Sequence, residues 1–169
     1  MNQFKSVDVS TFEGVFGRIG KDWMLIGSTD GTRPNLMTAS WGTLGVLWNK
    51  PVAICFIRPE RHTYSLVEKS DRLSLAFFEG EEYRAALAYC GRASGKNEDK
   101  FAGAGLTPML SEAGVPYPAE ASAVLLCRKL YVDDLKAASF LDPALLSHYQ
   151  SGGLHRVYVC EIEDVLVRA

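Results

Sequence analysis

Two neighbouring segments combine hydroxyl, aromatic and cationic side chains in a way that suits a flat ring carrying a phosphate. The first segment, residues 35–42, reads Asn-Leu-Met-Thr-Ala-Ser-Trp-Gly, and the second, residues 58–64, reads Arg-Pro-Glu-Arg-His-Thr-Tyr. A loop of small residues offers backbone N–H groups and short donors to a heteroaromatic ring. The paired arginines, Arg58 and Arg61, offer bidentate hydrogen bonds to phosphate oxygens. The expected chemistry is therefore the binding of a phosphorylated, flat aromatic group.

The elements that must position these segments are strands. Trp23 to Ser28 predicts one strand, and the turn residues that follow, Asp30-Gly31 and Arg33-Pro34, return the chain into a second, Asn35 to Trp41. A period of two places Leu36, Thr38 and Ser40 on one face of this second strand, and Met37, Ala39 and Trp41 on the other. Pro51 then opens a buried strand, Val52 to Ile57, which ends at Arg58-Pro59.

The rest of the chain predicts more strands and only short helices. Many strands with short helices favour an antiparallel barrel over alternating βαβ units. The interval Gly103 to Pro118 contains three glycines and three prolines and is expected to be an extended surface connection. The remaining predictions are helices over Arg61–Ser70 and Glu81–Cys90, the latter capped by Gly91, strands over Arg72–Phe78, Val124–Val132 and Arg156–Val167, and a helical turn over Asp142–Leu146.

Composition indicates one soluble domain over residues 1–169. The chain has 169 residues, 47% of them hydrophobic, and a formal charge of −2, which gives no electrostatic case for nucleic acid or acidic lipid. No run approaches the roughly 18 apolar residues of a membrane span, and no secretory leader is recognised, so a cytoplasmic location is expected. Four cysteines without a CxxC pair, three of them in apolar runs, are expected to be structural.

Several common active-site motifs are absent from the sequence. It has no GxGxxG turn, so a nicotinamide cofactor, if used, must dock on something other than a Rossmann domain. It has no HExxH motif or nucleophile elbow, and His62, His148 and His155 lack metal-ligand spacing. Hydrolase and metalloenzyme functions are therefore disfavoured, and no metal is expected.

The segments at residues 35–42 and 58–64, together with Tyr89–Phe101 and His155–Ile162, resemble the flavin reductase-like family of FMN-binding split barrels, especially its flavoredoxin-like branch. The resemblance extends from about Trp23 to Val167. It implies a mainly β fold: an antiparallel FMN-binding split β-barrel of Greek-key type with short flanking helices. It also implies a homodimer, because relatives complete the flavin pocket across the subunit interface.

The same resemblance implies the site residues. His155 is the catalytic candidate, because the family commonly has a histidine near the side of the ring that meets the electron donor. Related members usually have arginine and aspartate where this chain has Lys96 and Asn97, and often glycine where it has Cys160. The implied cofactor-binding residues are Met37, Thr38, Ala39, Ser40, Trp41, Arg58, Arg61, Thr63, Tyr64, Ser94, Gly95, Lys96 and Lys100.

Three functions stay open on the sequence alone. The favoured one is an NAD(P)H-dependent flavin reductase, in which bound FMN accepts hydride from NADH or NADPH and passes electrons to free flavin or a protein acceptor. The second is a flavoredoxin-type electron carrier that exchanges electrons with a redox protein such as ferredoxin, without nicotinamide turnover. The third is a flavin-binding module without turnover.

Overall fold

The computed structural model of the protein describes residues 3–169. Within this range the strands are β1 (Phe4–Val7), β2 (Met24–Ser28), β3 (Asn35–Ala39), β4 (Gly42–Leu47), β5 (Lys50–Ile57), β6 (Arg72–Phe77), β7 (Pro108–Leu110), β8 (Pro116–Pro118), β9 (Ala123–Asp134) and β10 (Arg156–Arg168). The α-helices are α1 (Val15–Gly20), α2 (His62–Lys69), α3 (Arg84–Arg92) and α4 (Lys100–Ala104). Short 3₁₀ helices cover Val9–Thr11, Glu81–Tyr83, Ala137–Ser139 and Pro143–Tyr149.

Eight strands form one antiparallel sheet that curves back on itself. Its order is β3-β2-β6-β9-β10-β5-β4, with β1 pairing to β10. The two outer strands, β3 and β4, are consecutive in the chain, and only Ser40 and Trp41 connect them. Because two residues span only about 7 Å, the two edges of the sheet must lie close together. We call the gap between these edges the seam.

The core has two layers, one inside the curved sheet and one outside it. Neighbouring residues of one strand divide between the layers, as the strand period requires: Ile26 and Met37 lie inside, and Leu25 and Leu36 lie outside. The outer layer is covered by side chains of α3, α4 and β8, including Leu87, Phe101 and Tyr117. Both faces of β2 and β3 are therefore buried, which fixes the register of the strands beside the seam.

The mainly antiparallel β architecture predicted from the sequence is confirmed. The predicted hairpin is β2 paired antiparallel to β3, from Met24 opposite Ala39 to Ser28 opposite Asn35. The predicted strands β5, β6, β9 and β10 and the helix α2 are present within one or two residues of the expected boundaries. The expected helical turn after Asp142 is the 3₁₀ helix Pro143–Tyr149, and the Asp142 side chain caps it.

One strand beside the seam has no counterpart in the sequence predictions. β4 forms a hairpin with β5, from Gly42 opposite Cys55 to Leu47 opposite Lys50. Trp48 and Asn49 form its two-residue turn, both with positive φ (53° and 57°), which is the geometry that joins twisted antiparallel strands tightly. Asparagine tolerates this conformation, but tryptophan rarely adopts it, so no turn signal marked the hairpin.

The prediction that Gly91 caps the helix over Glu81–Cys90 is wrong. Helix α3 continues through Gly91 to Arg92, and Ala93 is the C-terminal cap. The reason is chemical: the carbonyls of Cys90 and Gly91 accept hydrogen bonds from Arg61 and Lys100. Because side chains satisfy these carbonyls, the helix has no need of a left-handed glycine.

The prediction that Gly103 to Pro118 is an extended surface connection is also wrong. The interval contains the end of α4 and the strand pair β7–β8. Pro116, Tyr117 and Pro118 are buried, and Ser74 donates a 2.6 Å hydrogen bond to the Pro116 carbonyl. The prolines are tolerated because this two-stranded ribbon lies outside the main sheet, where few ladder hydrogen bonds are required.

The cysteines are free and buried, as the structural prediction requires. Cys55, Cys127 and Cys160 lie in the inner core layer, where burial raises the pKa of the Cys127 thiol, and Cys90 lies in the outer layer. From Gln3 to Ala169, no three His, Cys, Asp or Glu side chains are grouped to hold a metal ion. No helix between these residues has the length and apolar character needed to cross a membrane.

Candidate functional site

A cavity of about 210 Å³ opens at the seam. Its walls come from β3 and the β3–β4 connection, from the end of β5, from the start of α2, and from the residue preceding β10. Eight of the fourteen predicted site residues are brought together there, with one residue that was not predicted. We call it the seam cavity, lined by Met37, Thr38, Ala39, Ser40, Trp41, Phe56, Arg58, Arg61 and His155.

Sheet register explains how distant residues meet at the seam cavity. β10 pairs antiparallel with β5, with Arg156 opposite Ile57, so His155 reaches the end of β5 next to Arg58. Arg61 follows three residues later and is the N-cap residue of α2. Trp41, in the β3–β4 connection, lies against the His155 ring, with centroids 5.3 Å apart. The cavity thus depends on both edges of the sheet.

At one end of the seam cavity two cations share a helix terminus. The Arg61 guanidinium donates to the Gly91 carbonyl at 2.7 Å and to the Cys90 carbonyl at 3.3 Å. Lys100 Nζ donates to the same Cys90 carbonyl at 2.7 Å. The C-terminus of α3 carries partial negative charge, which favours cations. We call these two side chains the Arg61–Lys100 pair.

The Arg61–Lys100 pair has no carboxylate within ion-pairing distance among residues 3–169. Lys100 is only 3% exposed. Burial and the nearby Arg61 charge lower the pKa of Lys100 to about 8, and burial also lowers the pKa of Arg61. A buried and a half-buried positive charge without a counterion are costly, so this end of the cavity is suited to an anion.

Buried polar groups beside the pair hold the adjacent loop. Asn35 Nδ2 donates to Thr63 Oγ1 at 2.8 Å, while Asn35 Oδ1 is buried without a hydrogen-bond partner. Gly95 packs so closely against Asn35 and His62 that a Cβ atom at this position would overlap the Asn35 amide. Arg33 donates a 2.5 Å hydrogen bond to the Gly95 carbonyl. Glycine is therefore required where the loop of residues 94–96 approaches β3.

The opposite end of the seam cavity is aromatic. The His155 ring lies edge-on to Trp41, Phe56 and Tyr149, with centroids 5.3, 6.3 and 5.4 Å away. His155 Nδ1 and the Tyr149 hydroxyl are 2.9 Å apart and share a hydrogen bond. Burial, followed by the charge of Arg58, lowers the pKa of His155 to about 4. The imidazole is therefore neutral near pH 7.

Arg58 belongs to this aromatic end, although it is only three residues from Arg61. Its Nη2 donates a 2.6 Å hydrogen bond to the His148 carbonyl, and its guanidinium lies 5.2 Å from the centre of the Tyr149 ring. Both partners belong to the 3₁₀ helix Pro143–Tyr149. The two arginines that the sequence suggested as a single phosphate clamp thus face different surroundings.

Six predicted cofactor residues do not line the seam cavity. Thr63, Gly95 and Lys100 are buried behind the Arg61 end, where the contacts described above hold them. Ser94 and Lys96 are exposed on the adjacent loop. Tyr64 packs against the inner core layer, and adjacent helical residues face different directions, which separates it from Thr63. Their contact with a cofactor stays a prediction.

Two side chains have partners different from those the sequence suggested. The Thr38 hydroxyl, expected to face the ring, donates a 2.5 Å hydrogen bond to the Leu87 carbonyl of α3. Arg156, the sequence neighbour of His155, points away from the cavity: its guanidinium lies 3.1 Å from carboxylate oxygens of both Glu68 and Asp134. Adjacent strand residues face opposite sides of a sheet, which separates Arg156 from His155.

Sequence reasoning missed Phe56, Tyr149 and Asn35. Phe56 is half-buried within a run that is otherwise largely buried, and its place in the strand alternation was the available signal. Tyr149 ends an irregular segment without apolar periodicity, so nothing placed it near His155. Asn35 was quoted as part of the motif but received no role, because its partner Thr63 is 28 residues away.

The model of the flavin reductase-like domain matches residues 16–169, so the chain belongs to this family. The sheet that curves to a seam is the split-barrel fold of the family, which confirms the fold and family predicted from the sequence. None of the curated proteins searched matches the chain.

Solved structures with the same fold include proteins of different function. The chain is similar to the flavoredoxin of Desulfovibrio vulgaris (Miyazaki F) at 23% identity and a TM-score of 0.69, covering 95% of this chain and 76% of that one. It is also similar to an FMN-binding protein of Thermus thermophilus with bound p-hydroxybenzaldehyde, at 23% identity and a TM-score of 0.65, covering 94% of this chain and 74% of that one. A third similar structure is an NADH:FAD oxidoreductase of Streptomyces globisporus in complex with NAD and FAD fragments. Its identity is 18% and its TM-score 0.63, with 88% of this chain and 74% of that one covered.

Proposed function

We propose that this protein is an FMN-binding oxidoreductase that uses NADH or NADPH to reduce its flavin and delivers the electrons to a second acceptor. One observation carries the proposal: the seam cavity joins an uncompensated Arg61–Lys100 pair to an aromatic wall. A flavin mononucleotide has both complements, a dianionic phosphate and a flat ring. Membership of the flavin reductase-like family supports the same assignment.

The Arg61 end fits the phosphate. A phosphate dianion beside Arg61 and Lys100 would neutralise two charges, one half-buried and one buried, that lack a carboxylate partner. Arg61 also has the planar guanidinium that suits bidentate contacts with phosphate oxygens.

The remaining walls suit the ring. Met37 and Ala39 offer apolar contact from β3, while Ser40 and the backbone around it offer hydrogen-bonding groups. When bound, FMN supplies the redox chemistry, and the protein's part is to position the reactants and exclude water. His155, neutral and hydrogen-bonded to Tyr149, would orient a donor through its polar edge. It is a poor proton source, because its pKa lies well below 7.

The first test is the content of the purified protein. We expect a yellow protein with one non-covalent FMN per chain, because the Arg61–Lys100 pair suits a terminal phosphate. Denaturation should release the flavin, and chromatography should identify it as FMN. Recovery of FAD alone, or a colourless protein that does not bind added FMN, would contradict the proposal.

The alternative function is a flavoredoxin-type electron carrier that exchanges electrons with a redox protein such as ferredoxin. The observation in its favour is exposed apolar surface at the cavity. Trp41 is 44% exposed, and Leu141 and Leu145, before and within the 3₁₀ helix Pro143–Tyr149, are exposed too. An anaerobic titration with NADH and NADPH, followed by flavin absorbance, separates the two functions. Rapid bleaching supports the reductase, whereas bleaching only by reduced ferredoxin supports the carrier.

We also propose that the protein is a homodimer. A cavity of about 210 Å³ is smaller than the roughly 300–1,000 Å³ of most small-molecule sites, so a single chain supplies only part of the enclosure. A second copy would supply the missing wall, and two-fold pairing would create two equal sites. Light scattering should give twice the 18.6 kDa mass of one chain. A monomer that binds FMN tightly would contradict this proposal.

The cysteines support a cytoplasmic location. All four are free thiols, and each is buried in the core. Free thiols are characteristic of proteins that fold under reducing conditions, whereas secreted proteins of this size commonly contain disulfides. We therefore propose the cytoplasm as the compartment in which the protein acts.

A further inference from the structure

Arg58 is held in place by a backbone carbonyl and an aromatic ring, not by a carboxylate. A backbone carbonyl, that of His148, accepts one of its five N–H donors, and the Tyr149 ring covers one face of the guanidinium. Within residues 3–169 no carboxylate forms an ion pair with it. The nearby Glu60 carboxylate accepts a hydrogen bond from the Gly153 N–H, and this bond and, to a smaller extent, the Arg58 charge lower the pKa of Glu60.

The guanidinium lines the seam cavity at the aromatic end, away from the Arg61–Lys100 pair. If Arg61 and Lys100 hold the phosphate of the flavin, the Arg58 charge is left for another ligand. Trp41, Phe56 and His155 beside it offer edges and faces to a flat aromatic molecule. An arginine fixed at such a wall can select a reactant that is both aromatic and anionic.

We propose that Arg58 determines the specificity of the protein for its second reactant by binding an anionic group on a flat aromatic molecule. Two sources have this chemistry: a nicotinamide dinucleotide with its diphosphate, and an aromatic electron acceptor with a phosphate, sulfonate or carboxylate. The inference rests on the proposed function, because it takes the second reactant to be the electron donor or acceptor of the bound flavin.

The test compares anionic and neutral probes at equilibrium. Naphthalenesulfonate and NAD⁺ represent the two anionic sources, and naphthalenemethanol is the uncharged counterpart of the first. In calorimetric titrations of the FMN-loaded protein, Arg58→Ala should lower the affinity for at least one anionic probe about tenfold. The affinity for naphthalenemethanol should change less than twofold. The anionic probe that loses affinity identifies the source. Titrations of flavin-free protein should retain the same charge selectivity.

Kinetic measurements extend the comparison to electron transfer. NADH and the uncharged donor 1-benzyl-1,4-dihydronicotinamide carry the same reactive ring. If the dinucleotide is the source, Arg58→Ala should slow reduction by NADH about tenfold and leave reduction by the uncharged donor within twofold.

Arg84 provides a matched control. It also donates to a backbone carbonyl, that of Lys21 at 3.0 Å, and lies over an aromatic ring, that of Trp23 at 5.8 Å. Unlike Arg58 it pairs with the carboxylates of Asp22 and Glu81, and it does not line the seam cavity. Arg84→Ala should leave the affinity of every probe unchanged.

Three results would overturn the inference. The first is that Arg58→Ala loses affinity equally for the anionic and the neutral probes. The second is that Arg58→Ala keeps its affinity for both anionic probes, or that the wild type binds none of the probes. The third is a tenfold loss of FMN affinity in Arg58→Ala, which would place Arg58 in the flavin site. Failure of the proposed function is distinguishable, since it appears earlier, as a wild-type protein that does not bind FMN.

Discussion

Replacing Arg61 by alanine should weaken FMN binding by roughly ten- to a hundredfold. The guanidinium lines the seam cavity, is half-buried, and has no carboxylate partner among the residues described by the structure. Loss of a charge-assisted hydrogen bond in such surroundings costs about 1.5–3 kcal/mol, which corresponds to one to two decades in affinity. Quenching of flavin fluorescence on titration gives the dissociation constants.

Lys96→Ala is the matched control for this substitution. Lys96 lies in the loop that approaches β3, but its side chain is exposed, so its removal should change the dissociation constant less than twofold. Thermal unfolding of the flavin-free proteins separates lost binding from lost folding, because Arg61 also satisfies the Cys90 and Gly91 carbonyls. Equal affinity of wild type and Arg61→Ala would mean that the phosphate lies elsewhere.

Affinity for FMN should fall steeply above pH 8. The pKa of Lys100 is lowered to about 8 by burial and by Arg61, so the side chain loses its proton within an accessible range. A phosphate dianion binds the protonated form better, and binding above this pKa must therefore take up a proton. The dissociation constant should rise about tenfold for each pH unit above 8. The neighbouring Cys90 thiol, whose pKa is raised to about 11, stays neutral over this range.

Lys100→Met tests the assignment of this pH dependence. The substitution keeps an unbranched side chain but removes the charge, so FMN binding should be weaker at pH 7 and nearly independent of pH up to about 9. In the flavin-free protein, Lys100 has the opposite effect: a rise in pH increases folding stability, whereas it decreases FMN affinity. The folded-state pKa lies below the ordinary 10.5, so Lys100 makes the wild type more stable as pH rises from about 8 to 10.5. A pH slope retained in Lys100→Met would refute the assignment.

Sequence periodicity predicted the strands with strong local patterns and missed those defined by distant contacts. The alternation predicted over Asn35 to Trp41 is present from Asn35 to Ala39, because both faces of β3 meet packed layers, but the strand ends before Ser40 and Trp41. β4 was missed because its residues, Gly42 to Leu47, are largely exposed and include two glycines, so burial imposes no pattern. The β7–β8 ribbon was missed because prolines usually indicate loops, and only its packing against the sheet reveals the strands.

The site shows the same limit. Arg58 and Arg61 were grouped because only two residues separate them, and both do line the seam cavity. Their surroundings differ, however, because the chain turns into α2 between them. Arg61 contacts the carbonyls at the end of α3, beside Lys100, whereas Arg58 contacts residues 148 and 149. Lys100 was predicted by resemblance, but its burial and lowered pKa follow from the fold alone.

The seam gives the cofactor a structural effect besides a chemical one. Only Ser40 and Trp41 connect the two outer strands, so a molecule in the cavity would bridge edges of the sheet that are not hydrogen-bonded to each other. A ligand at a hundred times its dissociation constant adds about 2.7 kcal/mol to folding stability. We expect a chain without flavin to open more often and to be more exposed to proteolysis. The supply of FMN in the cell would thereby set the lifetime of this protein as well as its activity.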